Sequence, residues 1–126
     1  MGLNNMPLSA SDIRINLGNI RERIRGAASS AGRNVNDIRL VAVTKYMPLE
    51  YVQAAMSAGQ HCFGENTLQG AGSKQMLLED PRNEWHFIGH LQSNKAKSIP
   101  VNFAWLHTLD SLKLAGKLSA SACRSD

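Results

Sequence analysis

The stretch "RLVAVTKYMPLE", Arg39 to Glu50, decides how the chain is read. Ile38 to Thr44 is apolar at both odd and even positions, as expected of a parallel strand covered on both faces. The run ends on Lys45, and an amine at the end of an apolar run must be hydrated, paired or chemically used. Pro48 opens the next element, because its missing N–H does no harm in the first turn of a helix. Leu49, Val52, Ala55 and Met56 give that helix one apolar face, and Gly59 ends it.

The same strand-then-helix pattern recurs on the C-terminal side. "QHCFGEN" is a second short strand meeting a glycine turn, and Thr67 to Glu79 reads as a helix. "EWHFIG" is a third strand, and "LQSNKAKSIP" a short helix closed before Pro100. "FAWLHT" is a fourth strand, and "SLKLAGKLSASA" a helix capped by Asp110 or Ser111. On the N-terminal side, Ser9 and Asp12 form a capping-box start, with aspartate in place of the usual longer partner. The helix that follows, about 9–31, carries an apolar stripe of Ile13, Leu17, Ile20, Ile24, Ala27 and Ala31, and Gly32 stops it. The reading is an α/β domain over 1–126, with a leading helix and four β/α units at about 38–122. Such alternation implies a parallel sheet with right-handed crossovers.

Composition bounds the function. A chain of 126 residues fits one domain, and no apolar run approaches the roughly 20 residues of a membrane helix. The N-terminus has no basic flank followed by an apolar stretch, so the expected location is the cytoplasm. Cys62 and Cys123 form no Cys-x-x-Cys pair, which suggests neither a disulfide framework nor a thiolate metal site. Cys62, beside Phe63, reads as packed. The net charge is +4, concentrated at Arg14, Arg21, Arg23 and Arg25. That series reads as the solvated face of an amphipathic helix, and the alternative is a basic interaction module without aromatic interleaving.

"LVAVTK", "AGQHCFGENTLQ", "EWHFIGHLQSNKAK" and "WLHTLDS", in this order and spacing, resemble the pyridoxal phosphate homeostasis proteins, also called proline synthase co-transcribed homologues. The likeness runs from about Ile38 to Leu112. It implies a (β/α)8 TIM barrel of the alanine racemase N-terminal type, with pyridoxal 5′-phosphate held as an aldimine on the lysine ending the first strand, here Lys45. It also implies a role in intracellular vitamin B6 and amino-acid homeostasis without catalytic turnover. A complete barrel takes roughly 250 residues and eight strands, so the chain reads as half of one. The phosphate-binding groups and the arginine facing the pyridine nitrogen come, in this family, from later strands. Exposed sheet edges invite pairing with another chain, so self-association through the half-barrel edges is expected.

Lys45 shares its parity with Val41 and Val43, which places all three inward and the amine at the carboxyl-end mouth. An apolar wall there would favour the neutral amine, the form that attacks an aldehyde. Asn66, after Gly64 at the end of the second strand, either contacts the cofactor or stabilises its turn, and Glu65 reads as a helix cap. His86 faces either the cofactor or the core. His86 and His90 have a His-x3-His spacing, but a strand end and Gly89 intervene, so no metal site follows. Gln92, Asn94, Lys95 and Lys97 are read either as an anion-holding helix start or as a solvated turn. Trp85 and Trp105 are expected between sheet and helices. The alternative enzyme, a racemase-like one, needs an acid–base partner opposite the lysine. Tyr46 has the other parity and Tyr51 is on a helix, so neither is a convincing candidate.

Overall fold

A computed structural model describes residues 7–125; residues 1–6, part of the N-terminal reading, and residue 126 lie outside it. The order is α1 (Ala10–Ser30), a 3-10 turn (Val35–Asp37), β1 (Ala42–Val43), α2 (Leu49–Ser57), β2 (Cys62–Glu65), α3 (Leu68–Leu77), β3 (Glu84–Phe87), a second 3-10 turn (Ser93–Lys95), α4 (Ser98–Asn102), β4 (Trp105–Leu106) and α5 (Leu112–Ser125). The strands form one sheet in the order β1-β2-β3-β4, with every neighbouring pair parallel. The expected alternation is present. Pro100 departs from it, lying inside α4 rather than beyond it, because the first turn of a helix has no use for its missing N–H. No helix among the described residues is long and apolar enough to cross a membrane.

The chain divides into two compact units, one of residues up to Leu40 with Met47–His61, the other of Val41–Tyr46 with Cys62 onward. In the first, the Ser9 hydroxyl accepts from the Asp12 amide at 3.0 Å and the Asp12 carboxylate accepts from the Ser9 amide at 2.9 Å, which completes the capping box. Gly32 (φ +66°) and Gly59 (φ +86°) take the left-handed conformation. The amides of Arg33 and Gln60 reach back to the carbonyls of Ala28 and Ala55, both at 2.9 Å, closing α1 and α2 in the same manner.

The buried seam of α1 differs from the expected stripe. Leu17 and Ala28 are buried and Ile13 and Ile24 half-buried, while Ile20, Ala27 and Ala31 are exposed. Arg21 takes a place in the seam. Its guanidinium donates to the Ala58 carbonyl at the end of α2 (2.8 Å) and to the Gln60 side chain (2.9 Å), a favourable place for a cation at a helix C-terminus. Arg14, Arg23 and Arg25 are exposed as expected. Gln60, buried, donates to the Leu40 carbonyl at 2.7 Å. A side chain, not a strand, meets that carbonyl, which is one reason β1 is shorter than the apolar run Ile38 to Thr44.

The second unit holds the sheet, whose two faces differ. Phe63, Glu65, Trp85 and Phe87 alternate onto a buried face, where Phe63 meets Trp85 at 5.2 Å and Phe87 meets Phe103 edge-on at 5.4 Å. Val43, Gly64, His86 and Trp105 stand in register on the other. There Val43 is 52% exposed, so β1 is covered on one face only, contrary to the two-sided pattern. Trp105, half exposed, likewise does not pack between sheet and helices: its partner on β3, His86, has its face toward the opposite side from Trp85.

Glu65 caps nothing. At 1% exposure it is paired with Lys74 of α3, itself 9% exposed. Thr44 completes the cluster: its hydroxyl donates to Glu65 Oε1 at 2.8 Å and its carbonyl accepts from Lys74 Nζ at 2.5 Å. A buried charge is tolerable only when paired and hydrogen-bonded, and each member here satisfies the others. Glu65→Leu alone is expected to cost about 3–5 kcal/mol, because it strands the ammonium of Lys74. Adding Lys74→Met is expected to recover most of that loss in urea unfolding. At α1, the Ser9 backbone N–H, and then its hydroxyl, hold the Asp12 carboxyl below its usual value. A lowered folded pKa means that this cap stabilises at pH above the unfolded value and is lost as pH falls through the folded one. Loss of Ser9 amide protection below about pH 4, extended by Asp12→Ala to all pH, is the expected result in exchange measurements by NMR.

Candidate functional site

The carboxyl ends of four parallel strands bring four loops to one edge: Lys45–Tyr46, Asn66–Thr67, Ile88–Gly89 and His107–Thr108. Contacts link them in sequence. The Asn66 side-chain amide donates to Tyr46 Oη at 3.0 Å. The Asn66 backbone lies so close to Gly89 that a Cβ there would overlap its carbonyl. The Gly89 carbonyl in turn accepts from the Thr108 hydroxyl at 2.5 Å. Gly89 is therefore glycine for want of room, its side chain's place being taken by a neighbouring main chain.

Lys45 sits in the turn after β1 and is exposed. On its N-terminal side Thr44 is held by Glu65 and Lys74. On its C-terminal side Tyr46 has φ +61°, a conformation that costs a bulky residue of order 1 kcal/mol or more and persists where neighbours enforce it. The tie to Asn66 supplies that enforcement. By strand alternation, with Thr44 and Glu65 on the buried face, Lys45 falls to the side of Val43, Gly64 and His86. The apolar wall expected around its amine is not built by the described residues, because Val43 on the same side is itself half exposed.

The Asn66 side chain is tied to the neighbouring loop through Tyr46. It also borders a cleft of about 290 Å³ with Thr67, Gln69, His90, Gln92 and Lys95. Gln92 and Lys95 reach this cleft, whereas Asn94 and Lys97 do not line it. His86 is 2% exposed. Its Nδ1 lies 2.9 Å from His107 Nε2 and its Nε2 2.8 Å from Glu84 Oε1, while Trp105 stacks on the ring at 5.9 Å. It is thus a buried histidine with both ring nitrogens partnered, on the sheet face shared with Val43, Gly64 and Trp105. The row Glu84–His86–His107 went unread in the sequence, although the alternation of Glu84 with His86 was its one available signal.

No family model matches the chain. Individual relatives do. It is 46% identical over 109 residues to the pyridoxal phosphate homeostasis protein of Pseudomonas aeruginosa, covering 86% of this chain and 47% of the relative. It is 40% identical over 112 residues to the protein of that name from Escherichia coli K12, covering 86% and 48%. The chain is a homologue of the pyridoxal phosphate homeostasis proteins. It spans about half the length of these curated relatives. Among solved structures, PipY of Synechococcus elongatus PCC7942, with PLP bound, matches with a TM-score of 0.68 at 39% identity, over 81% of this chain and 49% of that one. An unknown protein from Bifidobacterium adolescentis matches with a TM-score of 0.80 at 28% identity, over 99% and 56%.

In this homologue of the pyridoxal phosphate homeostasis proteins, the position of Lys45 depends on the linked loops. Gly89→Ala is expected to push the Asn66 loop outward and cost about 1–3 kcal/mol, the range for forcing atoms into a packed space. Denaturant unfolding, with the Tyr46 fluorescence or NMR signal as local probe, checks both effects.

Proposed function

We propose that this chain binds pyridoxal 5′-phosphate through the amine of Lys45 and serves in cytoplasmic vitamin B6 and amino-acid homeostasis without turning over a substrate. The observation that carries this reading is the fixing of the Lys45 backbone from both sides, by the buried Thr44–Glu65–Lys74 cluster and by the Tyr46–Asn66 tie. A lysine that merely ended a strand in water would need neither. The homology to pyridoxal phosphate homeostasis proteins, and to PipY with PLP bound, supports it.

The residues present fit the aldehyde end of the group. Lys45 offers an exposed primary amine, and Asn66 holds the adjoining turn. When bound, the cofactor supplies an aldehyde that condenses with an amine with loss of water, and a phosphate that needs donors of its own. Lys45 gives up its proton to the solvent it faces. His86, with both ring nitrogens engaged, is assigned to the wall of the site and not to a direct hydrogen bond. In the family resemblance the phosphate donors lie on later strands. The sequential, all-parallel order of the four strands supports reading them as half of a (β/α)8 barrel, and on that reading the chain by itself binds weakly.

The racemase-like alternative is less favoured. Tyr46 Oη accepts from Asn66 and Tyr51 Oη from the Leu8 amide at 3.0 Å, so both tyrosines have structural employment. The test is titration with pyridoxal phosphate, borohydride reduction and mass mapping. A new absorption band and one dominant label on Lys45, both lost in Lys45→Ala, are expected. Label scattered over surface lysines, or an unchanged result in Lys45→Ala, overturns the proposal.

A further inference from the structure

The face of the sheet that carries His86 also gathers two other groups able to bind a metal. Cys62 and Glu84 are partners across the β2–β3 ladder, and His86 follows Glu84 by two residues on the same side. One donor atom from each, the Cys62 sulfur, a Glu84 oxygen and a His86 nitrogen, lie within 4.8 Å of one another. Cys62 Sγ is 3.8 Å from Glu84 Oε1, and that oxygen is 2.8 Å from His86 Nε2. Cys62 and Glu84 are the first residues of their strands, at the opposite end from the loop of Lys45, and His86 is the one residue this cluster shares with the wall of the site proposed above.

We propose that Cys62, Glu84 and His86 form a binding site for a divalent transition-metal ion of the zinc type. The donor set selects the class: thiolate, imidazole and carboxylate suit zinc, whereas calcium and magnesium demand oxygen alone. Size agrees as well. Ligands at about 2.0–2.3 Å from a tetrahedral zinc stand roughly 3.3–3.7 Å apart, so the Cys62–Glu84 pair is already near that spacing and the Glu84–His86 pair has only to open by a fraction of an ångström. The surroundings hold the imidazole in place. His107 Nε2 meets His86 Nδ1, the outer partner that a ligating histidine normally has, and Trp105 stacks nearly parallel to the ring, at 7°. Three protein ligands leave a fourth position for water. On metal entry the Cys62 thiol releases its proton to solvent, and the neutral His86 carries its proton on Nδ1, where His107 Nε2 accepts it.

The test uses the full chain and Co²⁺ alone as a spectroscopic probe, followed by competition with Zn²⁺. Uptake of one equivalent with a thiolate-to-cobalt absorption band, removed by Zn²⁺, is expected. Cys62→Ser, a near-isosteric change at a half-buried position, is expected to abolish the band, and Cys123→Ser to leave it intact. His107→Ala is expected to retain the band and weaken affinity roughly 10- to 100-fold. Circular dichroism on each variant separates loss of the site from loss of the fold. No band in the folded wild-type chain, or a band that survives Cys62→Ser, overturns the proposal.

Discussion

Everything at the carboxyl edge of the sheet rests on one buried ion pair. Glu65 and Lys74 are both withdrawn from water, and they compensate by sharing Thr44, whose hydroxyl and carbonyl are both engaged. Desolvating two charges is expensive and is offset only when geometry is good and the remaining polar atoms are satisfied. The result is less a source of stability than of position. Thr44 cannot move without unpairing a charge, so the residue after it starts from a fixed point.

The sheet divides its work by face. One side packs Phe63, Trp85 and Phe87 and hides the ion pair; the other carries Val43, Gly64, His86 and Trp105 in register and stays partly open. Strand alternation thus separates the packed core from the proposed site within a single layer. Because successive residues point to opposite sides, Thr44 and Lys45 belong to different worlds: the first is clamped below, and the second is presented above.

Much of this was legible in the sequence where chemistry is local. The capping box of Ser9 and Asp12, the glycine stops at Gly32 and Gly59, the cap at Ser111 and the strand–helix alternation all follow from short-range rules, and Ser111 does accept from the Leu114 amide at 3.1 Å. Lys45 and Asn66 could be placed at strand ends for the same reason. What could not be read depended on where long side chains finish. Arg21 looks solvated until its guanidinium is seen on the end of α2, and Lys74, in a polar helix, reads as surface until Glu65 is found inside. The grouping of Cys62 with Glu84 needs the register between two strands, which no pattern within either strand encodes. The exposure of Val43 was misread because apolar residues at both parities signal cover on both sides only when something supplies that cover.

The absence of a side chain at Gly89 has a mechanical consequence. Main chain pressed against main chain has no rotamers through which to yield, so displacement of the Asn66 loop passes directly into the Gly89 loop and onward, through its carbonyl, to Thr108. The strand ends are therefore tied into one row, along which a disturbance entering beside Tyr46 has a direct route to the far strand.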